Sequence, residues 1–224
     1  EIMADPPATS EKQPTLNRIL QVLPYGNEGA FGFEGWKFCT PDPDPSIGKI
    51  NLLEDRIIKE PVVEIASAPN VKDANVYVQF PDEERYTGIG AKFPIATFQL
   101  KNIGMHTGVE LECKAMDGNL YTITSSTAST ICKLQGKTVS IPMVLVKGWN
   151  KVEIDMEYIL SVIGRKFKTC ESVKIISSCR LRRIYLSDRR YKDWELPEHL
   201  RILPILEQNF QKIEPYAVIK DEGS

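Results

Sequence analysis

A period-two alternation of apolar and polar residues runs from about residue 61 to residue 156 and constrains the fold more than any other feature. Successive side chains of a β-strand point to opposite faces, so this alternation is typical of strands buried on one side. Asp117-Gly118, between two such runs, is a strong hairpin signal. Many short strands predict a mostly β chain, a single jelly-roll-like β-sandwich rather than βαβ units. The runs are VVEIA, NVYVQF, PIATFQL, VELECKAM, LYTITS, VSIPMVLV and KVEIDM.

One short helix is expected to interrupt the strands. Tyr158, Ile159, Val162 and Ile163 form an apolar stripe at helical spacing, and Gly164 lies within it. Two further strands, SVKIIS and RLRRIYLS, follow this helix. Just before it, the alternating run KVEIDM places its acidic residues on one side, which predicts a solvated strand face there.

The N-terminal arm carries its own apolar pattern. Leu16, Ile19, Leu20 and Leu23 recur at i, i+3, i+4 and i+7, which predicts a short amphipathic helix. Because an isolated helix of about ten residues is marginal in water, we expect these four residues to dock, either on their own domain or on a partner. The predicted organisation is an arm with this helix at residues 1–25, a β-sandwich domain at residues 26–206 and a C-terminal tail at residues 207–224.

Charge and cysteine usage exclude several classes of protein. The net charge is −2 and the isoelectric point is near 5.9, which disfavours a dedicated nucleic-acid module. No apolar run approaches the roughly 18 residues of a membrane-spanning helix, and the first residues lack the pattern of a signal peptide. The five cysteines are scattered and odd in number, which predicts free thiols rather than a disulfide framework or a zinc site. We therefore expect neither nucleic acid nor membrane as a partner.

The chain shows no arrangement typical of a catalytic site. Its two histidines, His106 and His199, lie in separate polar turns, where neither is placed beside a nucleophile and an orienting acid. The glycines of TGIGAKF are preceded by a turn and not by a strand, so a dinucleotide fingerprint is not indicated. DPDPSIGKINLLE lacks the glycine and the final glutamate of a calcium loop. We expect no enzymatic activity, no cofactor and no metal.

A basic segment near the C-terminal end is the strongest candidate for a functional site. Six cations fall within thirteen residues, with Tyr185, Tyr191 and Trp194 interleaved. Two interpretations stay open: a solvated strand and loop, or a surface that binds an acidic partner, because arginine and aromatic residues are frequent interface anchors. The predicted partner-binding residues of this segment are Arg180, Arg182, Arg183, Arg189, Arg190 and Lys192.

The same part of the chain resembles a known family. Upstream, GIGAKFP and PMVLVKGWN fit its pattern more loosely, and the resemblance spans roughly residues 26–206. The family is that of cilia- and flagella-associated protein 20, the inner-junction proteins of ciliary doublet microtubules. The pieces that carry the resemblance are Gly148-Trp149-Asn150, the run from Cys179 to Tyr185, Ser187-Asp188-Arg189 with Tyr191, and Glu195-Leu196-Pro197.

The resemblance implies a β-sandwich with a short helix, without enzymatic activity. It implies a structural role in the axoneme or basal body of a cilium or flagellum, where such proteins tie the B-tubule to the A-tubule beside a parkin co-regulated-type partner. The basic segment is then expected to face acidic tubulin of the doublet microtubule. The chain departs from the family in its N-terminal arm, in its PDPDPS loop and before residue 75, which is typical of a divergent paralogue.

An alternative function is that of a carbohydrate-binding module, because the family sandwich also resembles such modules. A sandwich alone does not establish sugar binding. Sugar sites need exposed aromatic rings, for which Trp36, Trp149 and Trp194 are the candidates. We expect Trp149 to belong to the core instead.

Overall fold

A computed structural model describes residues 18–23, 33–40, 48–67 and 76–202, and the backbone of residues 209–213 and 219–220. Strands dominate this part of the chain, as the alternation predicts, with one α-helix and the two 3₁₀ turns Asp193–Glu195 and Glu198–Leu200. The elements are β1 (Ile19–Leu23), β2 (Lys37–Cys39), β3 (Gly48–Glu54), β4 (Pro61–Ser67), β5 (Tyr77–Phe80), β6 (Ile95–Asn102), β7 (Gly108–Ala115), β8 (Leu120–Ser126), β9 (Lys133–Gln135), β10 (Thr138–Pro142), β11 (Gly148–Asp155), α1 (Met156–Val162), β12 (Phe167–Ile176), β13 (Cys179–Ser187), β14 (Asn209–Ile213) and β15 (Ile219–Lys220).

The described strands form two sheets. Sheet A has the order β14-β11-β6-β13-β4-β3, and β1 lies beside β4 against the same edge of β13. Sheet B has the order β15-β9-β10-β8-β7-β12-β5-β2. The prediction of a mostly β sandwich is confirmed.

The core lies between the two sheets and follows the period-two pattern. Phe98 and Leu100 of β6 and Val152 of β11 face Leu111 of β7 and Ile123 of β8 in one continuous apolar cluster. The Asp117-Gly118 hairpin is confirmed, because β7 and β8 pair in antiparallel register on either side of this turn. The sequence pattern thus reports which side of each strand is buried.

The short helix is present, and its buried face matches the predicted stripe only in part: Ile159 is in the core and Ile163 packs against it. The side chain of Asp155 accepts a hydrogen bond from the backbone N–H of Tyr158 and so caps the first turn. From this start the helix turns Met156, Ile159 and Leu160 into the core. Tyr158 is exposed, and so is Val162, the last helical residue. Gly164 has a φ of 74°, which suits a residue just beyond a helix end.

The predicted N-terminal helix is wrong for the described residues. Residues 19–23 form β1, an antiparallel partner of β13, and Leu16 lies outside the described residues. The register shifts between Gln21 and Leu23, and Val22 and Leu23 are both buried in the core. This bulge breaks the strict alternation of a strand, which is why the apolar spacing looks helical.

The C-terminal tail also contributes to the sheets. The backbone of Asn209–Ile213 pairs in parallel register with β11, and Ile219–Lys220 pairs with β9. Within the described part of the chain, no helix is both long and apolar enough to cross a membrane.

Two loops cover the outer face of sheet A. Residues 188–202, here called the cover segment, pack Tyr191, Leu196 and Leu200 onto Tyr185 of β13, with Ile19 alongside. The second covering element is the β3–β4 loop (residues 55–60). Its Ile58 packs with Val62 and Trp149 in a separate apolar cluster. Sheet A is therefore covered on both faces.

This double cover corrects the prediction of a solvated strand face on β11. Glu153 is buried and forms an ion pair with Lys151 at 2.9 Å. Lys151 also donates a hydrogen bond to the carbonyl oxygen of Tyr191 in the cover segment at 3.4 Å. Alternation correctly separates the two faces of β11, but the polar face lies beneath a loop instead of in water.

Candidate functional site on the outer face of sheet A

A β-bulge in β13 places its arginines together. Leu181 is opposite Leu100 of β6, and Arg183 is opposite Gln99, so Arg182 is the extra residue. Leu181 and Ile184 still reach the core on either side of it. Because the bulge inserts one residue, Arg182 and Arg183 both bond on the outer face, where strict alternation would have turned one of them into the core.

Glu60 of the β3–β4 loop holds both of these arginines. The guanidinium of Arg182 forms a bidentate pair with it, Nε to Oε2 and Nη2 to Oε1, each at 2.9 Å. Arg183 donates to Oε2 of the same carboxylate from Nη2 at 3.0 Å. Arg182 is 3% exposed and Arg183 is 1% exposed. One carboxylate therefore serves two nearly buried cations.

Asp55 performs the same task at the other end of the loop. It is fully buried, and its Oδ2 accepts from Lys101 Nζ at 2.7 Å and from Arg180 Nη1 at 3.0 Å. Burial alone raises the pKa of this carboxyl. The hydrogen bonds from Lys101, from the backbone N–H of Ile57 and from Arg180 outweigh burial and lower the pKa of Asp55 to about 2. Arg180 also binds Glu64 of β4 at 2.8 Å.

The same arginines hold the cover segment through its backbone. Arg182 Nη1 donates to the carbonyl oxygen of Arg201 at 2.9 Å, and Arg183 Nε donates to that of His199 at 3.1 Å. Beside them, the side-chain amide of Gln99 donates to the carbonyl oxygen of Leu200 at 2.6 Å. These bonds fasten residues 199–201 to the sheet.

This geometry corrects the expectation that the whole basic segment forms an exposed surface. Arg182 and Arg183 donate hydrogen bonds to Glu60 and to backbone carbonyls of the cover segment, so they hold the β3–β4 loop and the cover segment in place. Arg180 is partly buried between Asp55 and Glu64. Contact with a partner stays a prediction, and it now concerns mainly the cations farther along the chain, such as Arg189 and Lys192.

The second half of the basic segment lies on the surface. The side chain of Arg189 is 51% exposed, its guanidinium lies 4.0 Å from the ring centroid of Tyr191, and it pairs with Glu195 at 2.9 Å. The hydrogen bond from Arg189, followed by that from the backbone N–H of Lys192, keeps the pKa of Glu195 below its usual value. The ammonium of Lys192 lies 4.9 Å from the ring centroid of Trp194, which is 59% exposed.

Two neighbouring cations, Arg190 and Arg18, differ in their exposure. Arg190 approaches Glu153 at 3.7 Å and Asp155 at 3.6 Å, which ties it to β11. Arg18, just before β1, pairs with Asp188 at 3.5 Å and is well exposed. We define the basic corner as Arg18, Arg189, Lys192 and Trp194, four exposed residues at the junction of β1 and the cover segment.

The predicted partner-binding residues of the N-terminal arm divide in the same way. Leu23 is buried in the core, and Ile19 packs against the cover segment cluster. Leu20 is exposed on β1. The apolar positions of this strand thus dock mainly on their own domain, and Leu20 is the one described member left at the surface.

The tryptophans do not form a sugar platform. Trp36 and Trp149 are buried, as expected for Trp149, and Trp194 alone of the three is exposed. A polar pocket of about 140 Å³ on the outer face of sheet B includes Tyr77, but Lys174 Nζ lies 4.5 Å from the centroid of its ring. The described residues contain no group of three or more His, Cys, Asp or Glu side chains that could hold a metal ion.

Sequence reasoning missed the two carboxylates that organise the site. Asp55 and Glu60 stand in a short turn whose formal charge is balanced by Arg56 and Lys59, so nothing marks them as partners of β13. Arg182 and Glu60 are 122 residues apart along the chain. Only the pairing of β4 with β13 reveals that they meet.

Comparison with known proteins agrees with the resemblance seen in the sequence. Cilia- and flagella-associated protein 20 of Chlamydomonas reinhardtii is 27% identical over 166 residues, which cover 73% of this chain and 85% of that protein. The protein of the same name from Paramecium tetraurelia is 27% identical over 163 residues, covering 72% of this chain and 83% of its own length.

A solved structure described as an exo-beta-agarase has a TM-score of 0.38 at 8% identity and covers 77% of this chain. This chain spans only 25% of that structure, and a similarity this low carries no conclusion. The family model described as the CFA20 domain matches residues 31–204, a range that includes the β3–β4 loop, β13 and the cover segment but neither β1 nor β14. The chain therefore belongs to the CFA20 domain family and is a relative of cilia- and flagella-associated proteins.

Proposed function

We propose that this chain is a non-enzymatic structural protein of the ciliary or flagellar axoneme or basal body, and that it binds microtubules through the basic corner. The observation that carries the proposal is the pairing of two exposed cations with aromatic rings, Arg189 on the buried ring of Tyr191 and Lys192 on the exposed ring of Trp194. Arginine and tryptophan are prominent among residues that dominate binding energy at protein interfaces. The family supplies the ciliary context.

The electrostatics of the corner favour an acidic partner. Arg189 and Lys192 are exposed cations, and the carboxylate of Glu195 is occupied by Arg189. Charges of this kind steer association and orient the complex more than they add affinity. Tubulin is the proposed partner, with a position at the inner junction of the doublet microtubule beside a parkin co-regulated-type neighbour.

The test is co-sedimentation of the full chain with purified polymerised tubulin over a range of salt concentrations. The variant Arg189→Glu/Lys192→Glu reverses two exposed charges without touching a buried one. We expect its affinity to fall about tenfold, equivalent to about 1.4 kcal/mol, and the salt dependence of binding to become weaker.

A matched control separates the corner from net charge. Lys92→Glu/Lys168→Glu makes the same change in net charge at two exposed lysines, one of which lies on β12 of sheet B. It is expected to bind nearly as the wild type does. Equal losses in the two variants would reject the corner as the contact, and absence of wild-type binding would reject the microtubule proposal itself.

Location in the cell tests the finer assignment independently. A tagged full chain is expected along the axoneme or at the basal body of a ciliated cell, and a diffuse cytosolic signal would contradict it. The alternative of sugar binding has less support, because Trp36 and Trp149 are buried.

A further inference from the structure

The tip of the β3–β4 loop projects an apolar side chain from a rigid frame. Ile57 is 60% exposed, whereas the next residue, Ile58, is buried against Val62 and Trp149. Arg56 and Lys59 on either side of this pair are exposed. A single exposed isoleucine is ordinary, so the significance of this one depends on its surroundings.

Both carboxylates of the loop point away from its outer surface. Asp55 is buried beneath the loop on Lys101 and Arg180, and Glu60 is held by Arg182 and Arg183. The loop has as many acids as bases in sequence, yet both bases are exposed, whereas Asp55 is buried and the Glu60 side chain is only 25% exposed. Its outward face is an isoleucine between two cations, a surface complementary to an apolar pocket bordered by carboxylates.

The loop is preorganised in this shape. Asp55 donates its backbone N–H to the carbonyl oxygen of Glu60, and its own carbonyl oxygen accepts from the N–H of Lys59, both at 2.9 Å. Its side chain accepts from the N–H of Ile57 at 3.0 Å. Lys59 has a φ of 55°, a left-handed conformation that non-glycine residues adopt only when their surroundings impose it. Little ordering is left for binding to impose.

Arg182 joins this loop to the basic corner. Its guanidinium binds Glu60 of the β3–β4 loop and the carbonyl oxygen of Arg201 in the cover segment, each at 2.9 Å. Arg201 in turn donates to the carbonyl oxygen of Trp194 at 3.3 Å. The loop tip and the basic corner are thus parts of one outer layer, fixed to one another through a buried guanidinium.

We propose that Ile57 is a second anchor of the same binding face, and that it inserts into an apolar pocket on the acidic protein surface that the basic corner contacts. This inference rests on the proposed function, under which that surface is the microtubule wall. Two separated anchors on one rigid layer specify orientation as well as attachment. Arg182 is then a positioning residue that sets the distance between them.

The test measures binding of the full-length Ile57→Ala variant to polymerised tubulin at several salt concentrations. Ile131→Ala is the matched control, because Ile131 is 54% exposed and lies two residues before the strand β9 of sheet B. We expect Ile57→Ala to bind about three- to tenfold more weakly with an unchanged salt dependence, since no charge is removed, and Ile131→Ala to bind like the wild type. Equal thermal stability of both variants verifies that they fold alike.

The outcomes distinguish this inference from the proposal on which it rests. If the wild type binds and Ile57→Ala binds equally well, the second anchor is rejected while the basic corner stands. If the wild type does not bind, the microtubule proposal fails and the anchor loses its partner. Vesicles of phosphatidylserine and phosphatidylcholine form a third arm: loss of vesicle binding in Ile57→Ala without loss of tubulin binding would overturn the inference in favour of a membrane contact.

Discussion

Arg182 and Arg189 belong to one basic segment, yet the fold uses them in opposite ways. Arg182 is nearly buried, with four hydrogen bonds to Glu60, Gln99 and Arg201. Arg189 is half exposed and makes its ion pair with Glu195 at the surface. The difference teaches that charge density along a sequence does not give the charge of a surface. Cations inside the outer layer hold its loops, and cations on it are available for binding.

The largest expected effect comes from removing the shared carboxylate. Glu60→Ala removes the carboxylate that Arg182 and Arg183 share in a nearly buried site, so we expect the free energy of unfolding to fall by about 3–5 kcal/mol. Chemical denaturation measures it. Glu198→Ala, an exposed change in the cover segment, should remain within about 0.5 kcal/mol. A similarly small loss of unfolding free energy in both variants would contradict the distinction between the buried arginines, which hold the fold together, and the exposed cations of the basic segment.

A subtler change at the same site tests geometry separately from charge. Arg182→Lys keeps the positive charge but cannot reproduce the bidentate pair with Glu60 together with the bonds to Gln99 and Arg201. We expect a loss of about 2–3 kcal/mol. Faster hydrogen exchange at the amide of Arg201 is expected as well, because its segment is held from this side. Retention of wild-type exchange would show that Arg182 does not fasten the cover segment.

Acid should reduce the stability that the buried carboxylate of Asp55 contributes through its bonds to Lys101 and Arg180. The pKa of Asp55 in the folded protein, about 2, lies below its unfolded value of about 3.9, so its contribution is complete above pH 4 and is lost as the pH falls toward 2. The shift corresponds to about 2 kcal/mol. Unfolding measured across this range should show the decline, and Asp55→Asn should lack that component. A wild-type curve that is parallel to that of the variant would contradict the assignment.

Substitution of an exposed cation of the basic segment should change the stability of the fold least. Arg189→Ala removes a surface ion pair and its stacking on Tyr191, and we expect the free energy of unfolding to change by less than about 1 kcal/mol. Binding to polymerised tubulin should nevertheless weaken severalfold. Thermal melting and co-sedimentation together test this separation. A large loss of stability would place Arg189 with the buried arginines.

The sequence predicts the sandwich well because strand alternation directly reflects the pleat of a sheet with one buried face. It mispredicts β1 because a bulge between Gln21 and Leu23 interrupts that alternation, so Val22 and Leu23 both enter the core. A bulge also separates Leu181 from Arg183 in the paired strand β13. Wrong predictions of which residues face the core thus occur where a bulge shifts the register of a strand pair.

The candidate site is predicted only in part, and the reason differs from that for β1. The basic residues are evident in the sequence, but their burial depends on loops that approach from distant parts of the chain. Glu60 reaches Arg182 because β4 pairs with β13, and residues 199–201 reach it because the chain folds back over sheet A. Local pattern contains no information about either event. The sequence offers Trp36 and Trp194 alike as candidate exposed rings, and only the fold shows that Trp36 is buried and Trp194 exposed.

Around Glu60, the guanidinium groups of Arg182 and Arg183 share one carboxylate, and they also donate to the peptide oxygens of Arg201 and His199. In many proteins a bound calcium ion gathers loop carbonyls in this way. Here the cation is tethered to a strand by its own side chain. It cannot dissociate or exchange with solvent, so the loop it organises is independent of ion supply, and its order ends only when the strand beneath it unfolds or the arginine is replaced.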